Sequence, residues 1–149
     1  KKKVKKNPLK QKKSDIIITA GAVSARKFDY IPKIIKKFKL SSYCKGVSIR
    51  PGKPILFAKI KGKQKVIFGL PGNPISSAAC FRFFVYPYLE NLLGVTKEKP
   101  FKGILKNQFK KKKNFTRFIK CKMNTTKNDK IEVIVLKYQE SYKVQSFVK

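Results

Sequence analysis

Three short clusters in the chain have residue types suited to handling an anion. The first is ITAGAVSARKFDY at 18–30. Gly21 and its small neighbours let a ligand come close to the backbone, Ser24 offers a hydroxyl, and Arg26 and Lys27 add positive charge. Asp29 is one of only seven acids facing 38 basic residues. A carboxylate so surrounded is paired, is placed for a metal or a proton, or caps the helix that follows. The second cluster is RPGKP at 50–54, a tight turn flanked by Arg50 and Lys53. Both can aim at one anionic ligand, or they are two more surface charges. The third is GLPGNPISS at 69–77, where Pro71, Gly72, Asn73 and Pro74 make a rigid break. Asn73 is a good N-cap and Pro74 a good first helical residue, so backbone N–H groups and a positive dipole end would face an anion. A βα turn whose stiffness serves only folding uses the same residues.

The elements that hold these clusters follow from the hydrophobic pattern. The apolar run 66–70 predicts a buried strand, and a long apolar helix follows over 75–93 with Gly94 as its stop. The run DIIIT at 15–19 predicts a strand buried on both faces. Ile31, Ile34, Ile35 and Phe38 fall at helical spacing, so 30–38 is expected to be a helix with a lysine outer face. A turn at 41–44 and a strand over 46–50 come next. The runs 55–60 and 64–70 read as a hairpin joined by Lys61-Gly62-Lys63. From Thr96 the character changes to four partly alternating runs, at 101–109, 115–123, 131–138 and 142–148. They predict a small antiparallel β unit, with a turn at 124–129 and a lysine loop or edge guard at 110–113.

Bulk properties bound the possibilities. The 149 residues carry a formal net charge of +31, and Arg26, Arg50, Arg82 and Arg117 are the only arginines. Base readers rely on arginine's bidentate fork, so a flood of lysine looks more like compositional bias. It predicts weak, salt-sensitive affinity for polyanions rather than specific nucleic-acid recognition. The segment 1–14 reads as a solvated tail, the end of a helix, or a polyanion-binding arm. Cys44, Cys80 and Cys121 lie far apart and histidine is absent, which leaves no zinc spacing and no disulfide framework. Reduced thiols in a cytoplasmic protein are expected. No uninterrupted apolar run reaches the roughly 18 residues of a spanning helix. The chain starts without methionine and stops inside a strand-like run, so it is expected to be a piece of a longer protein.

The three clusters, in this order and spacing, resemble the molybdopterin molybdenumtransferase family, the bacterial relatives of the gephyrin E domain. That family's forms are TSGGVS followed by Asp, then KPGKP or RPGKP, then GLPGNP. The resemblance covers about 14–94 and implies an α/β fold: a partial three-layer molybdopterin-binding domain over 15–94, a mainly parallel sheet between helices. A truncated small antiparallel β domain over 95–149 would follow it. The implied reaction inserts molybdate into adenylylated molybdopterin and releases AMP, with magnesium assisting. Carried over by position, Gly21 and Ser24 line the pterin-phosphate loop, and Asp29 serves catalysis and the metal. Arg50 and Lys53 face phosphate or molybdate as catalytic residues, and Pro71, Gly72, Asn73 and Pro74 shape the cofactor pocket. The resemblance also implies a homodimer when full length, a small-molecule substrate, and a molybdopterin adenylyltransferase as partner. A non-catalytic binder of the same fold is the alternative, with a lysine-rich nucleic-acid-binding protein behind it. Ala20, Ala22 and Arg26 depart from the family pattern, which has Ser, Gly and Gly there. The family's further acidic and hydroxyl catalytic residues belong to an upstream part, so the chain alone is expected to bind rather than turn over.

Overall fold

The structure is a computed structural model that describes residues 14–21, 23, 30–110, 113–140 and 142. Ser24, Arg26, Asp29 and the basic segment 1–13 lie outside the described residues, as does 143–148 of the last predicted run. The described elements are β1 (Ile16–Ala20), α1 (Tyr30–Ile35), β2 (Leu40–Lys45), β3 (Ile49–Arg50), β4 (Leu56–Ile60) and β5 (Val66–Leu70). Then come α2 (Pro74–Cys80), a π-helical turn (Phe81–Val85), α3 (Tyr86–Leu93), β6 (Ile104–Leu105), β7 (Thr116–Arg117), β8 (Cys121–Thr125) and β9 (Ile131–Val135).

Four strands form one sheet in the order β1-β5-β4-β2. The expectation of a mainly parallel sheet is corrected here. Only β1 and β5 run parallel, while β5–β4 and β4–β2 are antiparallel. The cause is connection length: the short turn between β4 and β5 can only reverse the chain, whereas β1 reaches β5 by a long crossover. The predicted turn at 41–44 is also corrected, because those residues lie within β2 and pair with β4. The predicted strand 46–50 shrinks to Ile49–Arg50, since Gly46 has φ of 79° and bends the chain before it.

The sheet separates two apolar layers, and side-chain alternation assigns residues to each. Leu56, Ala58 and Ile67 join Ile17, Val23, Ile35 and Ile60 on one face, with Ile31 of α1 packed against them. Phe68 and Leu70 join Ile55, Cys80 and Val85 on the other, under Phe84, Tyr88 and Leu89. Helices thus cover both faces, in three layers. Strand β5 is buried along its whole length, as its apolar run predicts. Gly69 makes that possible next to the first loop, because a Cβ there would lie 2.4 Å from Val23 Cγ1. Strand β1 departs from expectation. It is an edge strand with β5 as its one neighbour among the described residues, and Ile18 is 43% exposed.

The predicted single helix after β5 is interrupted. Pro74–Cys80 is α-helical, Phe81–Val85 is π-helical, and Tyr86–Leu93 is α-helical again. Pro87 accounts for the break. It cannot donate to Phe83, and its ring crowds that carbonyl, so the turn before it widens and Tyr86 N–H reaches back to Phe81 O. Gly94 ends α3 at φ of 66°, as predicted.

Beyond Gly94, β6, β9 and β8 form a second sheet in that order. It is mixed rather than antiparallel, since β6 runs parallel to β9 and only β8–β9 is antiparallel. Strand β7 leaves this unit and pairs in parallel with β3. Nothing in the apolar pattern of 115–123 signals that long-range partner.

Candidate functional site

The two loops at the ends of β1 and β5 meet. Gly21 N–H donates to Leu70 O at 2.9 Å, and a Cβ on Gly72 would lie 3.5 Å from Gly21 Cα. The parallel pairing of β1 with β5 brings both loops to the same sheet end. Pro71 is buried and Asn73 begins α2. Asn73 Oδ1 accepts from Ser76 N–H at 3.1 Å and from the Ser76 hydroxyl at 3.3 Å. Pro74 takes the first helical position, where its missing N–H costs nothing.

The basic turn follows β3. Gly52 has φ of 115°, a region closed to most side chains, and a Cβ on it would strike Cys80 Sγ at 2.6 Å. The Cys80 thiol instead donates to Gly52 O at 3.4 Å. Burial pushes that thiol up to about 11.

Arg50 and Lys53 line a cleft of about 680 Å³ together with Ser76, Phe118 and two further cations, Arg117 and Lys137. Sequence reasoning missed the last two. Arg50 and Arg117 are register partners across β3 and β7. Thr116 N–H donates to Ser48 O at 3.0 Å and Phe118 N–H to Arg50 O at 2.8 Å, which fixes that register. Like charges opposite one another in a sheet repel. Among the described residues neither arginine makes an ion pair, and Glu140 is the one carboxylate lining the cleft. Arg117 lies over the Phe109 ring at 5.2 Å and Lys53 over Phe115 at 5.7 Å, so aromatic faces seat both cations. Four cations against one carboxylate have the charge to neutralise a compact anion. One signal in the sequence could have found Arg117: it is one of four arginines in a lysine-dominated chain.

Of the sequence-predicted site residues, Arg50 and Lys53 line this cleft. Gly21, Pro71, Gly72, Asn73 and Pro74 do not line it; Asn73 alone among them bonds to a lining residue, Ser76. Ser24 and Asp29 lie outside the described residues. Among the described residues no three cysteine or acidic side chains stand together as a metal site. Among the same residues no helix is long and apolar enough to cross a membrane.

Comparison with known proteins places the chain in a family. The sequence pattern of the family described as "Probable molybdopterin binding domain" matches residues 1–91. The chain is 39% identical over 116 residues to the molybdopterin molybdenumtransferase of Staphylococcus aureus strain COL, covering 76% of this chain and 27% of that protein. It is 35% identical over 112 residues to the protein of the same name from Synechocystis, covering 74% and 26%. The chain therefore spans about a quarter of the length of these relatives. Two crystal structures of the molybdopterin biosynthesis MoeA protein from Pyrococcus horikoshii superpose with TM-scores of 0.62 and 0.60. They share 27% and 26% identity over 91% and 89% of this chain, and over 31% and 28% of theirs.

Proposed function

Taking as premise that this chain belongs to the molybdopterin-binding domain family, we propose that it is the back portion of a molybdopterin molybdenumtransferase, with its basic cleft as the anion site. In the whole protein, molybdate enters the dithiolene of adenylylated molybdopterin and AMP leaves. The observation that carries this reading is the convergence of Arg50, Lys53, Arg117 and Lys137 around one cleft at the first turn of α2. Splitting a phosphoanhydride while taking up an oxyanion concentrates negative charge. Fixed cations and a capped helix start stabilise such charge without a covalent nucleophile.

Each residue then has a part. Arg50 and Lys53 hold phosphate or molybdate from the turn side, and Arg117 and Lys137 hold it from the other. The Gly21 and Ser24 loop, with Pro71, Gly72, Asn73 and Pro74, seats the pterin. The molybdopterin-binding unit spans 15–94 and the β unit 95–149. Magnesium assists in this reading, with Asp29 contributing to its site. The described residues alone do not build a divalent-cation site, because Glu140 is the one carboxylate lining the cleft and no acidic cluster stands beside it. The whole protein works as a cytoplasmic homodimer and receives its substrate from a molybdopterin adenylyltransferase.

The test is molybdate-dependent cofactor formation by the full-length protein carrying Asp29→Asn or Arg50→Ala. Both substitutions are expected to lower the rate by about tenfold or more, the scale of a lost charge-assisted contact. Unchanged rates in both would remove the assignment.

A further inference from the structure

One side chain outside the predicted site packs on the far wall of the cleft. The Phe83 ring lies parallel to the Phe118 ring, with centroids 3.8 Å apart and an interplanar angle of 3°. Phe83 belongs to the π-helical turn and Phe118 lines the cleft. Phe118 directly follows Arg117, and its N–H is bonded to Arg50 O. Three residues earlier than Phe83, Cys80 donates its thiol to Gly52 O in the basic turn on the near wall. The widened turn thus separates two contacts, one to each wall. A regular α-helix would present residue 83 at a different angle from the one that meets Phe118, and π-helical turns recur at functional sites for this kind of re-aiming.

We propose that Phe83 is a positioning residue, which, with Cys80, sets the separation of Arg50 and Arg117 and so the cleft's fit to a tetrahedral oxyanion. The effect on ligand rests on the function proposed above; the effect on the wall does not. Strands β3 and β7 are two residues long, and two backbone hydrogen bonds flank their register pair. So short a pairing needs an outside brace. The exposed ring of Phe83, stacked on Phe118, supplies it.

The experiment compares the chain with Phe83→Ala, Phe83→Leu and Phe83→Tyr, the last keeping a stacking ring. Amide hydrogen exchange is read without ligand, and inorganic molybdate is then titrated at fixed ionic strength. Exchange at Thr116 and Phe118 is expected to rise about tenfold or more in the Ala and Leu variants, while amides of β4 and β5 stay at their original rates. Molybdate affinity falls on the order of tenfold in the same two variants. Phe83→Tyr restores both. In an Arg117→Ala background, Phe83→Ala costs no further affinity, because it acts through that arginine. Unchanged exchange at Thr116 and Phe118 in both variants overturns the proposal, as does an affinity loss that persists undiminished without Arg117. A parent chain that takes no molybdate overturns the function proposed above, and the exchange data then decide the brace alone. Should Phe83→Ala unfold the chain, exchange at β4 and β5 rises too, and the exchange rates of Phe83→Leu then decide between brace and no brace.

Discussion

The parts of the chain before and after Gly94 are held together by different means. Before it, every strand of the four-stranded sheet contributes to a core, and two apolar clusters lie on opposite faces. After it, Val135 is the one buried apolar side chain among the described residues, while Phe101, Ile104, Leu105, Met123 and Ile134 are exposed. The first part is organised by burial. The second keeps its shape through backbone pairing and a few polar clasps, such as Asn107 bridging both backbone groups of Val135 and Gln139 bridging those of Lys120. The cleft takes one wall from each. Such a site has a rigid side that fixes geometry and a side whose position depends on docking.

Core truncation breaks the comparison hardest. Leu56→Ala, at a position with no exposed surface, is expected to cost about 2–5 kcal/mol. Ile104→Ala, more than half exposed, is expected to cost within about 0.5 kcal/mol. Urea unfolding of both variants measures the contrast, and equal costs would erase it. Adding a methyl sharpens it. In Gly69→Ala the new Cβ meets Val23 and Leu56 inside the core, an overpacking cost of about 1–3 kcal/mol. Gly103→Ala meets Val133 and Ile131, which are half-buried and can move, so a smaller loss of melting temperature is expected. Removing the cap at the start of α2 is smaller still. Asn73→Ala is expected to cost about 1 kcal/mol, with Asn73→Asp retaining most of it in the same melts.

The last effect is chemical and shows only at alkaline pH. The folded state holds the Cys80 proton up to about pH 11 instead of 9.0. That contribution to stability is present below pH 9 and is lost as pH rises from 9 towards 11. At pH 9 such a thiol is about 1% thiolate, so alkylation followed by mass spectrometry should label Cys44 well before Cys80.

Much of the first part is legible in the sequence because local chemistry and tertiary role agree there. The apolar run of β5, the Asn73 cap, the Pro74 start and the Gly94 stop each carry their own physical signature. The π-helical turn is not legible although Pro87 is in view, because a proline predicts a disturbance without its kind. Residues 41–44 look like a turn because Ser41 and Ser42 are turn residues, yet pairing with β4 overrides that preference. Arg50 and Lys53 stand out from one tight turn. Arg117 does not, because a two-residue pairing across 67 positions leaves no periodic trace, and Lys137 is one lysine among many. The same lack of pattern hides the parallel partner of β6.

The most direct test of the two-walled cleft is calorimetric titration of molybdate into the chain, into Arg50→Ala, into Arg117→Ala and into the double variant. Each single substitution is expected to weaken binding about tenfold, with the double variant losing less than the two combined, because both arginines grip one anion. Binding at parental strength in both single variants would contradict the account.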